Sequence, residues 1–380
     1  MDEKLGKDMS LAVQSFLALA LDRLADFNSS LCVLNVVGGR GVVHTFGRQA
    51  LPMVWDFMET NPFNKVGANW IAGIEACAST IEHEYQKSSI GQIEMTSANN
   101  LPLPDDCAHM YFTDPPYYDA IPYADLSDFF IVWLRQILGN IMPEMFFKNL
   151  APKEEECIVD EVKGKNKYFL LTSMAKAMQE GRRVLAPNGI GVVVFAHKST
   201  SGWEVLLQSM IDAGWVVTGS WPIDTERQGR LRAQGSAALT SSVHLICRPR
   251  ENPDGSLITD DIGDWRDVLT KLPKRIHKWM PRLAEEGVVG ADAIFACLGP
   301  ALEIYSRYSS AEKASGEKVV LKEYLEEVWA AVSRETLNMI FKGADVSGFE
   351  EDARLTAMWL WALRMTVNDD NNSKMMIVLR

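Results

Sequence analysis

The sequence predicts an α/β protein in which a sheet-containing core is followed by an α-helical C-terminal region. From about Tyr168, segments with helical spacing of apolar residues alternate with short runs rich in valine and isoleucine. After Pro249, almost every segment has helical spacing. Since helices that alternate with strands cover the faces of a parallel sheet, we expect a mainly parallel sheet.

The amino-acid composition limits which classes of protein this chain can belong to. The chain has 380 residues, of which 47% are hydrophobic and 23% charged, values typical of a soluble globular protein with a sizeable core. It contains no run of about 18 apolar residues, and its start lacks a cleavage pattern. We therefore expect no membrane span and a cytoplasmic location.

Cysteine and histidine usage argues against a metal centre. The six cysteines and six histidines are scattered, without a Cys-x-x-Cys pair or a His-x-x-x-His pair. Dispersed thiols suit a reducing compartment. We expect no bound metal.

The charge distribution is polarised. A net charge of −12 argues against a uniformly basic nucleic-acid binder. Two stretches differ from that average, because residues 227–250 contain five arginines and residues 271–282 contain five lysines and arginines, both without an acidic residue. For the second stretch we favour a solvated helix or loop face.

The first part of the chain alternates helices with two short strands. Residues 10–28 and the segment from Trp70 have helical spacing, and residues 90–97 and 108–113 have strand character. A turn-rich segment separates the two strands, and another helix begins near Asp125 or Ser127.

The second part has a simpler order. A helix from Tyr168 leads through a Pro-Asn-Gly turn to a strand at 190–197, and a helix then leads to a strand at 215–223. The strand at 241–249 follows through a loop rather than a helix, so we expect it to run antiparallel. Helices are predicted at 321–341 and 353–365.

These elements suggest three regions. We expect a mainly helical N-terminal segment at 1–89, a core at 90–250 and a helical C-terminal region at 251–380. The turn-forming sequence ENPDGS marks the second boundary.

The sequence Asp114-Pro115-Pro116-Tyr117 directly follows the predicted strand at 108–113. Two prolines cannot continue a central strand, because they lack N–H donors. At the carboxyl end of a parallel strand, where α/β sheets bind ligands, Asp114 and the Pro115 carbonyl can each accept one hydrogen of an exocyclic amine. Tyr117 can stack on the attached base. The alternative is a turn that only ends the strand.

These residues resemble the catalytic motif of N6-adenine and N4-cytosine DNA amino-methyltransferases. The longer block TDPPYYDAIPYADLSDFF at 113–130 resembles the DUF1156-containing adenine-specific DNA methylase family of bacteria and archaea. Three further blocks share that resemblance, at 44–57, 228–250 and 348–363.

The resemblance implies a Rossmann-like class I methyltransferase sheet, S-adenosylmethionine as cofactor and DNA as substrate. It favours adenine N6 over cytosine N4 and a role in restriction or phage defence. It makes Asp114, Pro115, Pro116 and Tyr117 the catalytic motif. Tyr118 and Tyr123, with Asp119, either line the base pocket or pack the turn.

An arginine loop lies between the last two predicted strands. Arg227, Arg230 and Arg232 stand beside glycines, and planar guanidinium groups on such a loop suit phosphate contacts. We expect a clamp on the DNA backbone, with an interdomain salt-bridge loop as the competing interpretation. His197 and Lys198 are interpreted as a polar pair at a strand end.

The cofactor loop expected by the resemblance, Phe-x-Gly-x-Gly, is missing. CVLNVVGGRGVV, at 32–43, continues without a helix, so we interpret it as a turn. Asn99 is a candidate contact to the cofactor adenine. In the resembled family the cofactor loop lies upstream of the block at 44–57. We therefore expect a partial sheet that lacks the first cofactor-binding strand, loop and helix. Either an upstream polypeptide supplies that half, or the sequence is a fragment of a longer methylase.

Two other functions stay open. A non-catalytic DNA-binding or assembly subunit would keep the base pocket and the helical tail. An RNA methyltransferase would use the same turn chemistry.

Overall fold

The computed structural model describes residues 6–36, 41–47, 50–51, 53–65, 67–85, 91–116, 121–196, 200–224, 241–252, 254–286, 288 and 291–340. The chain divides into two compact units. Unit 1 comprises residues 1–94 and 120–158, and unit 2 comprises residues 95–119 and 159–380. The chain therefore leaves unit 2 shortly after the Asp-Pro-Pro sequence and returns to it at Val159.

The described part of unit 1 contains three helices and two short antiparallel strands. They are α1 (Lys7–Phe27), β1 (Val33–Leu34), β2 (Val42–Val43), α2 (Trp70–Tyr85) and α3 (Tyr123–Leu138). Gly73 in α2 permits close packing on α1, because a Cβ there would lie 3.3 Å from the Ala20 carbonyl oxygen. The ring of Phe46 packs against Phe129 and Phe130, with centroid distances of 5.4 Å to each.

Unit 2 contains a four-stranded sheet with helices. Its elements are β3 (Ala108–Thr113), a 3₁₀ helix (Glu161–Lys163), α4 (Lys167–Val184), β4 (Leu185–Phe195), α5 (Thr200–Asp212), β5 (Trp215–Asp224), β6 (Ser241–Pro249), β7 (Ile262–Asp264), α6 (Trp265–Glu285), α7 (Ala291–Ala296), α8 (Leu298–Ser306), β8 (Ser310–Glu312) and α9 (Leu321–Ile340). This composition confirms a mixed α/β protein.

The sheet is mixed, with the order β3-β4-β6-β5. β3 pairs parallel with β4, whereas β6 is antiparallel to both β4 and β5. The antiparallel direction of β6 is confirmed, and β3, β4 and β5 run the same way, as strands that helices connect should. The expectation of a mainly parallel sheet is wrong, because β6 lies between β4 and β5 and is antiparallel to both.

The predicted Pro-Asn-Gly turn is instead an irregularity within β4. Leu185 pairs with Ala108, and Ile190 pairs with Met110. The four residues 186–189 of β4 therefore lie opposite a single residue of β3. The guanidinium of Arg248 holds this segment by donating to the carbonyls of residues 188 and 189, at 2.6 and 2.8 Å.

One face of the sheet is a packed core. The Tyr111 ring lies on Gly181 of α4 and stacks on Trp215, with a centroid distance of 6.0 Å. The Trp215 indole donates to the Met178 carbonyl at 2.9 Å, which satisfies the buried N–H. The side chain of Leu245 is fully buried in β6. Burial on this face fixes the register of the strands.

The opposite face is open at the β3 side. Met110 and Phe112 point away from the core and are 59% and 60% exposed. β3 is also an edge strand, since no strand in the described part of the chain pairs with its outer side.

The predicted strand at 90–97 is wrong. Residues 91–97 have no regular structure, and Ile93 and Met95 are exposed, so this segment has neither a pairing strand nor an apolar surface to cover. Across the described ranges, no helix is long and apolar enough to cross a bilayer. The helix predicted at 353–365 lies outside the described residues.

Candidate functional site

The Asp-Pro-Pro corner, which consists of Asp114, Pro115 and Pro116, lies at the carboxyl end of β3. Thr113 is the last paired residue of β3 and lies opposite Val193, so Asp114 follows at the level of Val194. Ligands bind at this edge in open α/β sheets. The structure therefore places Asp114, Pro115 and Pro116 where sheet topology favours a site.

The register across the sheet brings His244 to the same level. Val194 pairs with His244 in β6. The imidazole ring also lies against Phe112, with ring centroids 6.1 Å apart. Nδ1 of His244 is buried and has no hydrogen-bond partner among the residues that the structure describes. Buried polar atoms are rarely left without a partner, so this nitrogen retains an unused hydrogen-bonding capacity.

Two opposing effects act on the Asp114 carboxyl. Desolvation by the surrounding atoms raises its pKa above the usual aspartate value, and the nearby charge of His244 lowers it. Desolvation is the larger effect. Asp114 accepts no hydrogen bond from any residue that the structure describes, so both carboxylate oxygens are available to an outside donor.

The prolines shape the corner. Pro115 is buried and fixes the backbone that follows Asp114. Within the described ranges, no N–H group donates to the Pro115 carbonyl. The corner therefore offers a carboxylate and an adjacent free carbonyl, which together match the two hydrogens of an exocyclic amine.

His244 was missed by the sequence analysis. The only signal is a single polar, titratable residue within the apolar run of SSVHLICRP. That signal has little value without the strand order, because only the insertion of β6 beside β4 brings His244 level with Asp114.

Several predicted site residues lie outside the described residues. They are Tyr117, Tyr118, Arg227, Arg230 and Arg232, and also Asp119, His197 and Lys198. Their proposed roles in base stacking and phosphate contact stay predictions.

Tyr123 is described in the other unit. It is the first residue of α3 in unit 1, whereas Asp114 belongs to unit 2. Its side chain is exposed, and its carbonyl accepts a hydrogen bond from the Ser127 hydroxyl at 2.7 Å. Its assignment to a base pocket stays a prediction.

Asn99 lies in an exposed turn before β3. Its backbone N–H donates to the Ser97 hydroxyl oxygen at 3.3 Å, and the turn is followed by Leu101, whose N–H donates to Glu180 in α4 at 2.9 Å. In the described part of unit 2, no hydrogen bond joins Asn99 to the corner.

The glycine-rich sequence between residues 36 and 42 connects two antiparallel strands. Val33 pairs with Val43, and Leu34 pairs with Val42. Residues 37–40 lie outside the described residues, so the turn stays a prediction. No helix follows β2 before residue 70 in the described residues. Since residues 91–100 are also exposed, the described residues do not fit a binding cradle for S-adenosylmethionine.

A metal-binding arrangement is likewise not formed by the described side chains, which contain no group of three or more histidine, cysteine, aspartate or glutamate residues suited to an ion.

Comparisons with known proteins give one weak likeness. No known family and no curated protein matches the chain. A crystal structure of a candidate DNA modification methylase from Thermus thermophilus is similar over 67% of this chain and 94% of that chain, with 14% sequence identity and a TM-score of 0.23. That TM-score is too low to establish a common fold.

Proposed function

We propose that this chain carries the target-amine binding portion of an S-adenosylmethionine-dependent DNA amino-methyltransferase. The observation that carries the proposal is the Asp-Pro-Pro corner at the carboxyl end of β3, with a carboxylate and a carbonyl both free of internal donors among the described residues. Its sequence resemblance to amino-methyltransferases favours adenine N6 as the target, in a restriction or phage-defence setting in the cytoplasm.

The corner binds an amine by accepting both of its hydrogens. Asp114 accepts one N–H and the Pro115 carbonyl accepts the other, which draws electron density towards the nitrogen and leaves its lone pair facing away from the sheet. Fixed prolines hold both acceptors in place, so positioning rather than a strong base supplies the effect. His244 limits the rise in the pKa of Asp114 and so favours the carboxylate form.

The methyl donor belongs to a second component in this proposal. S-adenosylmethionine supplies an electrophilic methyl group when bound, and an upstream polypeptide would hold it. The unpaired outer edge of β3, with Met110 and Phe112 exposed beside it, supports this arrangement, because a strand of the missing half could extend the sheet next to the corner.

The test is methyl transfer to duplex DNA by the full chain coexpressed with the product of the neighbouring upstream gene. We expect Asp114→Ala to reduce transfer at least about a hundredfold, because it removes one of two acceptors at the reacting nitrogen. Asp260→Ala is the matched control, since Asp260 is exposed in unit 2 and makes no hydrogen bond with a described residue.

Equal activity of wild type and Asp114→Ala would refute the proposal. Transfer to tRNA but not to duplex DNA would favour the RNA methyltransferase. DNA binding without transfer to either substrate, in the presence of the upstream product, would favour the non-catalytic subunit.

A further inference from the structure

A basic groove lies between α6 and α8 in unit 2, away from the residues that the proposed function uses. It encloses about 340 Å³ and is lined by Lys271, Lys274, Arg275, Lys278, Glu303, Ile304, Arg307 and Tyr308. Five of these eight residues are cationic and one is acidic. In a chain with a net charge of −12, such a concentration of positive charge is a local feature rather than a bulk property.

The lysines share one side of α6. Positions 271, 274 and 278 follow helical spacing, and their side chains are exposed. The opposite side of the helix is buried in the core through Val268, Leu272, Ile276, Met280 and Leu283. Because its apolar face is occupied, the helix cannot insert that face into a membrane or a partner groove.

The two arginines are held by one carboxylate. Arg275 and Arg307 both donate to Glu303, which fixes them on the α8 side of the groove. Lys271, Lys274 and Lys278 form no ion pair in the described part of the chain, and the ammonium of Lys271 lies 3.5 Å from the Tyr308 hydroxyl. The groove therefore combines fixed guanidinium groups with three uncompensated ammonium groups.

We propose that this groove binds the phosphate backbone of DNA. Residues 271 to 278 span about 10.5 Å along the helix at 1.5 Å per residue. A DNA strand places one phosphate per about 3.4 Å of axis, so about three phosphates pass along that length. A lipid surface is disfavoured, since no large apolar side chain among the described residues between 265 and 310 is strongly exposed.

The groove is a separate contact from the corner. Gly299 of α8 donates to the Ser220 hydroxyl oxygen at 2.9 Å, and Val217 donates to the Ser306 hydroxyl oxygen at 3.0 Å, so α8 packs on β5. β5 is the edge strand opposite β3. Three strand spacings of about 4.8 Å already separate the two edges, so a duplex that reaches both sites extends well beyond the target base.

The choice of DNA rests on the proposed function, but the binding measurement does not depend on methyl transfer. We would measure the affinity of the full chain for a 30-base-pair duplex by fluorescence anisotropy across a salt series. Lys271→Ala, Lys274→Ala and Lys278→Ala combined should weaken binding at least about tenfold and reduce the salt slope by about 2 to 3.

The matched control combines Lys318→Ala, Lys322→Ala and Arg334→Ala, which remove the same charge from exposed positions of unit 2 outside the groove. We expect this variant to change affinity less than about twofold. Equal losses in both triple variants would overturn the proposal, because they would reflect net charge alone. Unchanged binding in the groove variant would also overturn it.

Two other results would reassign the ligand. Tighter binding to anionic vesicles, or to RNA of the same length, that is lost in the groove variant would overturn DNA as the ligand. Asp260→Ala, the control variant of the proposed function, should keep wild-type DNA affinity in the salt series. Failure of the groove and failure of the catalytic corner are therefore distinguishable, since one is measured as binding and the other as methyl transfer.

Discussion

His244 lies level with Asp114 across the intervening strand β4, and its charge lowers the pKa of a carboxyl whose pKa desolvation otherwise raises. The two residues are 130 positions apart in sequence, and β6 brings them together by inserting beside β4. The protonation state of Asp114, the proposed amine acceptor, is thus set partly by His244, which lies two strands away in β6.

Replacing His244 with glutamine should raise the pKa of Asp114 further. The substitution removes the charge that favours the carboxylate and leaves desolvation unopposed. Carboxyl carbon chemical shifts of Asp114, followed by NMR over a pH series, measure this directly. The pH profile of methyl transfer should move towards higher pH in the same variant, and a lower or unchanged Asp114 pKa would contradict the electrostatic pairing.

Gly181→Ala should destabilise unit 2. A Cβ at this position would lie 2.4 to 2.8 Å from ring atoms of Tyr111, and that ring is held on its other side by Trp215. Overpacking of this kind costs about 1–3 kcal/mol, which exceeds the gain of about 1 kcal/mol in helix propensity. Chemical denaturation measures the change in unfolding free energy.

Gly219→Ala is the control for this overpacking prediction. It lies in the same sheet, but a Cβ there would meet its nearest atom at 3.8 Å, an ordinary contact distance. A larger loss of stability at Gly219 than at Gly181 would contradict the packing described for Tyr111.

Arg183 should anchor the segment that leads into β3. Its guanidinium donates to the carbonyls of Leu101 and Leu103 at 3.0 and 2.8 Å, and to the carboxylates of Asp105 and Glu180 at 2.6 and 2.9 Å. Arg183→Met should therefore accelerate limited proteolysis within residues 91–105 several-fold. Arg183→Lys should restore little protection, since an ammonium cannot reproduce the planar fork. Full protection in Arg183→Lys would show that charge alone holds the segment.

Asp22 should make unit 1 less stable as pH rises. Asp22 is 7% exposed in α1, one of its carboxyl oxygens has no hydrogen-bond partner among the described residues, and burial raises its pKa from 3.8 to about 6. A raised pKa means that its contribution to stability is complete below about pH 4 and is lost as the pH rises through 6.

Asp22→Asn should remove that dependence and stabilise the protein at pH 8 by about 1–3 kcal/mol. Melting temperatures of wild type and variant between pH 4 and 8 test this, with Asp8→Asn, an exposed aspartate in the same helix, as control. A variant that is less stable than wild type at pH 8 would contradict the burial argument.

Some of the fold follows from local sequence signals. The corner at Asp114 could be placed, because an apolar run directly precedes two prolines that cannot continue a strand. The direction of β6 also followed, since the sequence between β5 and β6 lacks the spacing of a helix. Both inferences use only neighbouring residues.

Features that depend on strand order were not predictable. The position of β6 between β4 and β5, and hence of His244, is set by pairing over long sequence distances. The segment at 186–189 has the composition of a turn, but Arg248 in β6 holds it within β4. The segment at 91–97 has strand-like composition without a neighbour to pair with, and composition alone does not reveal that difference.

The outer edge of β3, with which no described strand pairs, bears on self-association of the chain in concentrated solution. The backbone amide groups along this edge lie next to the exposed side chains of Met110 and Phe112. They can pair with a strand of another molecule when no other strand covers the edge. A preparation of the chain alone should therefore self-associate through the edge of β3. Met110→Lys should keep the preparation monodisperse, because a charge beside the edge opposes pairing between molecules.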